Sequence, residues 1–221
     1  MNSEKRYLRL SFPVIFACVF AVVFLLGQLL AEQRKEREDV LLTAELPNGE
    51  ITNELLSQFQ AFPGFQQCWA VLTGNVSIRI AQYQASATLC GVDLDSYPLT
   101  IVESAGAKAF GSKPLLIVGE SFWSSLTDEY GNAITSRQIQ VLTQELDTLE
   151  AELELDGAVY AAEFLGVAEE DGIYIDVSQL KPLLEAGGGT GAVSRVCLKI
   201  KGVKNAERAR ESLEKAGFAC A

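Results

Sequence analysis

The sequence predicts an α+β protein in which one N-terminal transmembrane helix precedes a ferredoxin-like split βαβ subdomain, with a second mixed α/β subdomain inserted into it. Three observations predict this class. An uncharged apolar run lies near the N-terminus, two similar strand–helix–strand patterns lie near the two ends of the remaining chain, and a long mixed segment separates them. With 48% hydrophobic and 21% charged residues, the composition is that of an ordinary globular protein.

The first element is the apolar run, which begins at Leu10 and ends at Ala31. At a rise of about 1.5 Å per residue, a helix of this length crosses the roughly 30 Å hydrocarbon core of a bilayer. A cleaved signal peptide is the alternative, but its apolar core is usually only about 7 to 15 residues long. We therefore expect an uncleaved anchor that contacts the lipid bilayer. Lys and Arg are nearly balanced on its two sides, so the flanking charges do not set its orientation.

The next residues predict the first strand–helix–strand unit. Residues 32–39 alternate in charge and are expected to form a solvated stalk. A strand is predicted at 40–46, a short helix at 51–61 and a second strand at 65–73. Pro63-Gly64 ends the helix, and Gly74-Asn75 is expected to be a loop.

The C-terminal residues predict the second unit. A strand at 193–200 is followed by Gly202 as a turn and by a helix for which Asn205 is the expected N-cap. Gly217-Phe218 ends this helix in the way that Gly64-Phe65 follows the first one. Two such units, separated by an insertion, are what a ferredoxin-like sandwich requires.

The insertion reads as a mixture of strands and helices. Strands are predicted at 85–92, 114–118, 149–155, 159–167 and 173–175. Thr135 and Gln138 form a capping box before a helix, and Asp156-Gly157 is a strong hairpin signal. Residues 177–184 favour a helix, although Pro182 weakens that interpretation. The predicted organisation is residues 1–9 cytoplasmic, 10–31 transmembrane, 32–39 stalk, 40–75 and 192–221 ferredoxin-like subdomain, and 76–191 inserted subdomain.

The composition excludes several functions. Histidine is absent, which removes the usual general base near neutral pH and the commonest metal ligand. The 29 acidic residues against 18 basic ones give a net charge of -11, which repels the phosphates of a nucleic acid. We therefore expect no nucleic-acid partner and no enzymatic activity.

Three patterns suggest chemistry, but each lacks a necessary part. Residues 187–191 read GGGTG without the lysine of a phosphate loop, and are expected to be a linker. Gly119-Glu120-Ser121 lacks the second glycine of a nucleophile elbow and a histidine to activate the serine. The acids at 169–171 and Asp176 do not match an EF-hand loop and are expected to form an exposed turn. No catalytic residue, cofactor site or metal site is predicted.

Five short segments carry a family resemblance. They read VD at 92–93, SYP at 96–98, KPLLIVGE at 113–120, LGV at 165–167 and GIYI at 172–175. In this order they resemble the extracytoplasmic core domain of MacB/FtsX-type ABC transporter permeases, the MacB-like periplasmic core domain. In that family an N-terminal membrane helix leads into an exterior domain with a split strand–helix–strand subdomain and an inserted second one. The permeases add three further membrane helices after this domain, whereas this sequence stops at Ala221.

The resemblance implies a coupling or partner-binding role without catalytic residues. We expect a single-pass protein of the cell membrane, with a cytoplasmic N-terminus and an extracytoplasmic body. It would act as an accessory or shortened permease-like subunit of an ABC-type transport complex, with an ABC permease or ATPase complex as its membrane partner. A free-standing anchored binding protein for a peptide or lipid is the alternative.

Four cysteines lie outside the apolar run, where oxidation can occur. Their spacing alone allows three full pairings. In the ferredoxin-like strand order, the second and third strands are antiparallel neighbours, which brings Cys68 near Cys197. A Cys68–Cys197 disulfide is therefore the predicted pairing, and buried free thiols are the alternative.

Overall fold

The structure is a computed structural model that describes residues 34–47, 49–108, 111, 113–188 and 192–221, together with Phe24, Gly27 and Gln28. It is a mixed α+β fold, as the sequence predicts. The strands are β1 (Asp39–Glu45), β2 (Phe65–Ile80), β3 (Tyr83–Val92), β4 (Ile101–Ser104), β5 (Leu115–Gly119), β6 (Glu150–Leu155), β7 (Ala158–Ala168), β8 (Ile173–Asp176), β9 (Val193–Lys201) and β10 (Ala219–Cys220). The helices are α1 (Asn53–Phe59), α2 (Ser136–Gln144), α3 (Val177–Ala186) and α4 (Val203–Lys215), and a 3-10 helix covers Glu120–Ser125.

The two strand–helix–strand units lie side by side in one sheet. The strand order is β10-β1-β9-β2 and all neighbours are antiparallel, which is the arrangement of a ferredoxin-like sandwich. Helices α1 and α4 pack on the same face of these strands and enclose an apolar core. Its buried members are Leu42, Ala44, Ile51, Phe59, Val196, Leu198, Ile200, Ala206, Ala209, Leu213 and Phe218.

The second group of strands closes on itself. Strands β2, β3, β8, β5, β7 and β6 form a ring, because β6 pairs with both β2 and β7. Helices α2 and α3 and the 3-10 helix contribute side chains to its core, which includes Leu126, Leu142, Leu153, Phe164 and Leu180. Strand β4 lies outside the ring as an edge strand on β7.

Strand β2 belongs to both groups, and the loop predicted at Gly74-Asn75 is wrong. The strand continues from Phe65 to Ile80, first along β9 and then along β3, where Gly74 lies opposite Leu89. A Cβ at Gly74 would lie 2.7 Å from a methyl carbon of Leu184 on α3. The glycine therefore permits a close helix–strand approach within a strand, and makes no turn there.

Local signals at two other sites were read correctly. The Thr135 hydroxyl accepts from the Gln138 N–H while the Gln138 side chain bonds to the Thr135 backbone, so the predicted capping box is confirmed. The hairpin between β6 and β7 turns at Asp156 and Gly157, whose φ angles are +47° and +84°. Both are positive, as the tightest hairpin turns require.

The starts and ends of two helices differ from the predictions. Gly202, with φ +89°, is the N-cap of α4, and Asn205 instead donates from its side chain to the Lys201 carbonyl at 2.9 Å. Helix α3 continues through Pro182 to Ala186 and begins where the Asp176 carboxylate accepts from the Ser178 N–H.

No helix within the described ranges is long and apolar enough to cross a membrane. The span predicted at 10–31 lies outside these ranges, apart from Phe24, Gly27 and Gln28. Arg34 to Arg37, in the predicted stalk, are helical, and β1 begins two residues later at Asp39.

Candidate functional site

The candidate site is the junction where the sandwich meets the ring. Strand β2 leaves β9 at this point and continues along β3, with a register shift between Val71 and Leu72. The sheet face of the sandwich that α1 and α4 do not cover contributes to this junction. Along each strand, the residues that alternate with the core residues point to that face. Trp69 and Cys197, which lie opposite each other on β2 and β9, are two such residues.

An aromatic column crosses the junction. The Trp69 and Tyr97 rings lie 5.9 Å apart, edge to face, and the Tyr97 and Tyr174 rings lie 5.8 Å apart. Trp69 lies in the part of β2 that pairs with β9 in the sandwich, Tyr174 lies in the ring strand β8, and Tyr97 lies in the loop between β3 and β4. The Tyr174 hydroxyl donates to the Asp171 carbonyl at 2.8 Å. Aromatic pairs of this geometry stabilise by about 0.5 to 1.5 kcal/mol beyond area burial, so the column fastens the two groups together.

Arg195 makes a second connection across the junction. Its guanidinium donates to the Glu45 carboxylate on β1 at 2.6 and 3.1 Å, and to the Cys90 sulfur on β3 at 3.4 Å. The side chain of Arg195 is only 27% exposed. One arginine on β9 therefore contacts a strand of the sandwich and a strand of the ring.

A cleft of about 350 Å³ opens beside this arginine. The residues that line it are Thr43, Glu45, Val71, Cys90, Tyr97, Asp171, Tyr174, Arg195, Ala219, Cys220 and Ala221. The walls come from both groups of strands. A small polar or amphipathic ligand would contact both groups at once in this cleft.

The electrostatics of the junction do not provide an activated nucleophile. Burial raises the pKa of the Cys90 thiol, and the nearby Arg195 charge only partly opposes this. Burial likewise raises the pKa of the Tyr97 and Tyr174 hydroxyls. All three groups are therefore protonated at neutral pH.

The two cysteines of the predicted disulfide lie on neighbouring strands but on opposite faces of the sheet. Cys68 lies opposite Leu198 and packs against the helix-side core, whereas Cys197 lies opposite Trp69. Both are free thiols in the structure, as are Cys90 and Cys220. Burial raises the pKa of Cys68 to about 11. The Cys68–Cys197 pairing stays a prediction, and forming it would require β2 to slip by one residue against β9.

The other patterns considered from sequence have structural roles. A Cβ at Gly119 would lie 2.5 Å from the Glu170 carbonyl, so this glycine allows two backbones to meet. The Glu170 carboxylate accepts from the backbone N–H and the hydroxyl of Thr100, at 2.8 and 2.9 Å, and holds the start of β4. Among the residues that the structure describes, no three His, Cys, Asp or Glu side chains are grouped to hold a metal ion. The predicted linker at 187–191 is described only at Gly187 and Gly188.

Sequence reasoning did not bring the junction residues together, although Tyr97 and Tyr174 lie in two of the five segments that carry the resemblance. Arg195 and Cys90 are 105 residues apart in the chain, and Trp69 and Tyr97 belong to different elements. One local signal was present, since Arg195 is a charged residue directly before the apolar run Val196, Cys197 and Leu198 of β9.

Comparisons with known proteins concern the fold. No family model matches the sequence, and no curated protein matches it. The extracellular domain of the noncanonic ABC-type transporter YknZ from Gram-positive bacteria is 15% identical, with a TM-score of 0.42, and the match covers 83% of this chain and 100% of that one. The periplasmic region of MacB from Actinobacillus actinomycetemcomitans is 13% identical, with a TM-score of 0.44, and the match covers 82% and 87%. The first is described as an extracellular domain and the second as a periplasmic region.

Proposed function

We propose that this chain is a membrane-anchored, non-enzymatic extracytoplasmic domain that works as an accessory, permease-like subunit of an ABC-type transport complex. Two features of the sequence support the anchor and the family. The run at 10–31 has the length and composition of a single membrane span, and the five segments described above follow the order of the MacB-like periplasmic core domain.

The observation that carries the proposal is the continuity of β2. This strand pairs with β9 in the sandwich and with β3 and β6 in the ring, without a break between them. The aromatic column and Arg195 fasten the same two groups together. A displacement applied to one group therefore reaches the other as a rigid-body motion. A domain that couples one partner to another needs this property, and a catalyst does not.

The continuity of β2 also bears on how the two subdomains move. We propose that residues 40–75 and 192–221 act as one unit next to the stalk, and that residues 76–191 act as the second. Residues 75 and 76 both lie inside β2, so a hinge at this position has no support. The two units would move together about the stalk.

Co-purification tests the proposal. The full chain, carrying a C-terminal affinity tag, is extracted from its native membrane in mild detergent and isolated. An ABC-type ATPase or permease is expected to co-purify at a fixed ratio to the chain. A variant in which an unrelated membrane helix replaces residues 1–31 shows which part makes the contact. If the anchor makes it, this variant loses the partner, and if the exterior body makes it, the partner is retained. A chain that stays strictly monomeric, with no transporter component at any detergent concentration, would refute the proposal.

The junction cleft favours a second candidate, an anchored binding protein for a peptide or lipid. Its volume is about 350 Å³. An acidic group of the ligand would bind the half-buried Arg195 by displacing Glu45 from it. Mass spectrometry of the purified full chain would then find a bound lipid or peptide at about one per chain, and Arg195→Met would remove it. Purified chain that contains no such molecule would exclude this candidate.

A further inference from the structure

An exposed loop lies beside the C-terminal end of β2, the strand that starts next to the stalk. Strand β2 starts beside the stalk, because Phe65 lies opposite Ile200 and Asp39 opposite Lys201. It then runs for 16 residues to the turn between β2 and β3. At about 3.3 Å per residue, that turn lies roughly 50 Å along the strand from its start. We call this turn (residues 79–84) and the adjacent loop (residues 126–134) the distal tip.

Tyr130 projects from the distal tip into solvent. Its exposed fraction is 81%, the highest among the large hydrophobic residues that the structure describes. The ends of its loop are fixed, since Leu126 and Ile134 are buried in the ring core and Thr127 bridges to Gln84 on β3. The loop therefore presents an aromatic ring from a firmly held base.

Asp128 makes the loop itself rigid. Its carboxylate accepts from the Tyr130 N–H at 3.0 Å, from the Asn132 N–H at 2.8 Å and from the Asn132 side chain at 2.9 Å. The Asp128 N–H donates to the Asn132 carbonyl, and the Gly131 N–H to the Asp128 carbonyl, both at 3.0 Å. Gly131 takes the positive φ of +80° that this turn needs. A loop held in one conformation loses little entropy when a partner binds to it.

A cleft of about 480 Å³ lies between the loop and the turn. Tyr130 contributes to its lining from the loop, and Gln82, Tyr83 and Gln84 contribute from the turn. The charges at its rim are mostly negative. Arg79 is paired with Glu152, Asp128 bonds only to neutral groups, and Glu129 has no ion pair within the described part of the chain. The unbalanced charge at this cleft is acidic.

We propose that the distal tip docks a basic polypeptide segment of an extracytoplasmic protein, with Tyr130 as the anchor. A partner Lys or Arg would lay its methylene stem or cation on the Tyr130 ring and place its charge near Glu129 and Asp128. Tyrosine is one of the residue types that dominate binding energy at protein interfaces. A preorganised loop lowers the entropy cost of binding, and a complementary charge increases specificity and the rate of association. This inference rests on one part of the proposed function, the anchor, because the tip points away from the membrane only if residues 10–31 span it.

Site-specific photo-crosslinking tests the docking surface. Cells express the full chain with Tyr130→p-benzoylphenylalanine, or with the probe at Val159, a 62% exposed control position on β7. Irradiation should attach a protein at position 130 and not at 159, and the attached peptide should contain Lys or Arg. Glu129→Lys, combined with the probe at 130, should reduce the yield by about tenfold, because like charges then face each other. Asp128→Ala should reduce it as well by releasing the loop, while the circular dichroism spectrum stays unchanged.

The crosslinking and co-purification results test the docking surface and the proposed function separately. Equal yields at 130 and 159, a yield that Glu129→Lys leaves unchanged, or attachment to lipid or to a second copy of this chain would overturn the docking surface. If a transporter complex still co-purifies in that case, the proposed function stands without it. If position 130 captures a basic segment and no transporter component co-purifies, the docking surface stands and the proposed role in a transport complex fails.

Discussion

The two strand–helix–strand units of the sandwich share a local pattern but continue differently. In each, a helix is followed by a glycine with positive φ and then by phenylalanine, at Gly64-Phe65 and at Gly217-Phe218. The first pair opens β2, a strand of 16 residues that passes into the ring, whereas the second precedes β10, a strand of 2 residues at the sheet edge. The same local signal thus begins a central strand or an edge strand. Long-range pairing decides which of the two forms.

The surroundings of the two glycines show the same difference. A Cβ at Gly64 would lie 2.4 Å from the Lys201 carbonyl and 2.8 Å from the Asn205 side chain, because the second unit packs directly against this turn. A Cβ at Gly217 would have no atom outside its own neighbours within 4 Å. The turn before β2 is therefore enclosed by the second unit, while the turn before β10 lies at the surface.

The largest effect is expected where the helices of the two units meet. Phe59 of the first unit is 3% exposed, and its ring lies 5.8 Å from that of Phe218, edge to face. Phe59→Ala removes this contact and leaves a cavity, and should lower the free energy of unfolding by about 3 to 5 kcal/mol. Urea denaturation of the detergent-solubilised full chain, followed by tryptophan fluorescence, measures the loss.

A double-mutant cycle shows whether the units depend on each other at this contact. Phe218→Ala and the double variant complete the cycle, with a coupling energy of about 0.5 to 1.5 kcal/mol expected for an edge-to-face pair. Additive losses would mean that each phenylalanine stabilises only its own unit.

The two glycines provide the second test. Gly217→Ala should cost about 1 kcal/mol, the strain of a side chain at positive φ. Gly64→Ala adds a collision with backbone to that strain, and we expect it to cost about 2 kcal/mol more. Equal losses at the two sites in urea denaturation would show that Gly64 is no more enclosed than Gly217.

The sequence predicted the positions of strands and helices better than it predicted which strands and helices contact each other. Signals contained in a few adjacent residues, such as Thr135 with Gln138 or Asp156 with Gly157, specify local geometry directly and were read correctly. Gly74 was misread because the contact that requires a glycine there is with Leu184 of α3, more than 100 residues away along the chain. The closure of the ring by β6 on β2 gave no local signal either, since alternating residues in β6 do not identify the strand beside them.

The candidate site was predicted least well, for the same reason. Arg195, Cys90 and Tyr97 form the junction only because the sheet topology brings three distant segments together. For the cysteines, the strand order predicted that Cys68 and Cys197 lie on neighbouring strands, but strand order does not fix the register. A shift of one residue decides which face a side chain occupies.

A smaller effect is expected at the start of α1. The Thr52 hydroxyl accepts from the Leu55 N–H at 3.4 Å, whereas the N-cap of α4, Gly202, has no side chain to do so. Thr52→Ala should therefore lower the free energy of unfolding by about 1 kcal/mol. Ser57→Ala is the matched control, because its hydroxyl donates only to the Glu54 carbonyl within the same helix. A loss at Ser57 as large as that at Thr52 would contradict a capping role.

The smallest effect concerns the first strands of the two units, β1 and β9. Lys199 on β9 lies 3.1 Å from the Asp39 carboxylate on β1, and this hydrogen bond holds the Asp39 pKa below its ordinary value of 3.8. A carboxyl group whose pKa is lowered by folding stabilises the protein above its unfolded pKa, and this contribution is lost as the pH falls through the folded value. At neutral pH the pair is fully formed.

Asp39 and Lys199 are both partly exposed, at 43% and 35%, so solvent screens the pair and its contribution to stability is small. A carboxyl-detected NMR titration should nevertheless place the Asp39 midpoint below 3.8, and Lys199→Gln should return it toward that value. Lys204→Gln, which removes a charge of the same sign from α4, serves as the control and should leave the midpoint unchanged. If Lys199→Gln leaves the Asp39 midpoint unchanged, the ion pair does not contribute, and backbone hydrogen bonds alone join the two strands at this end.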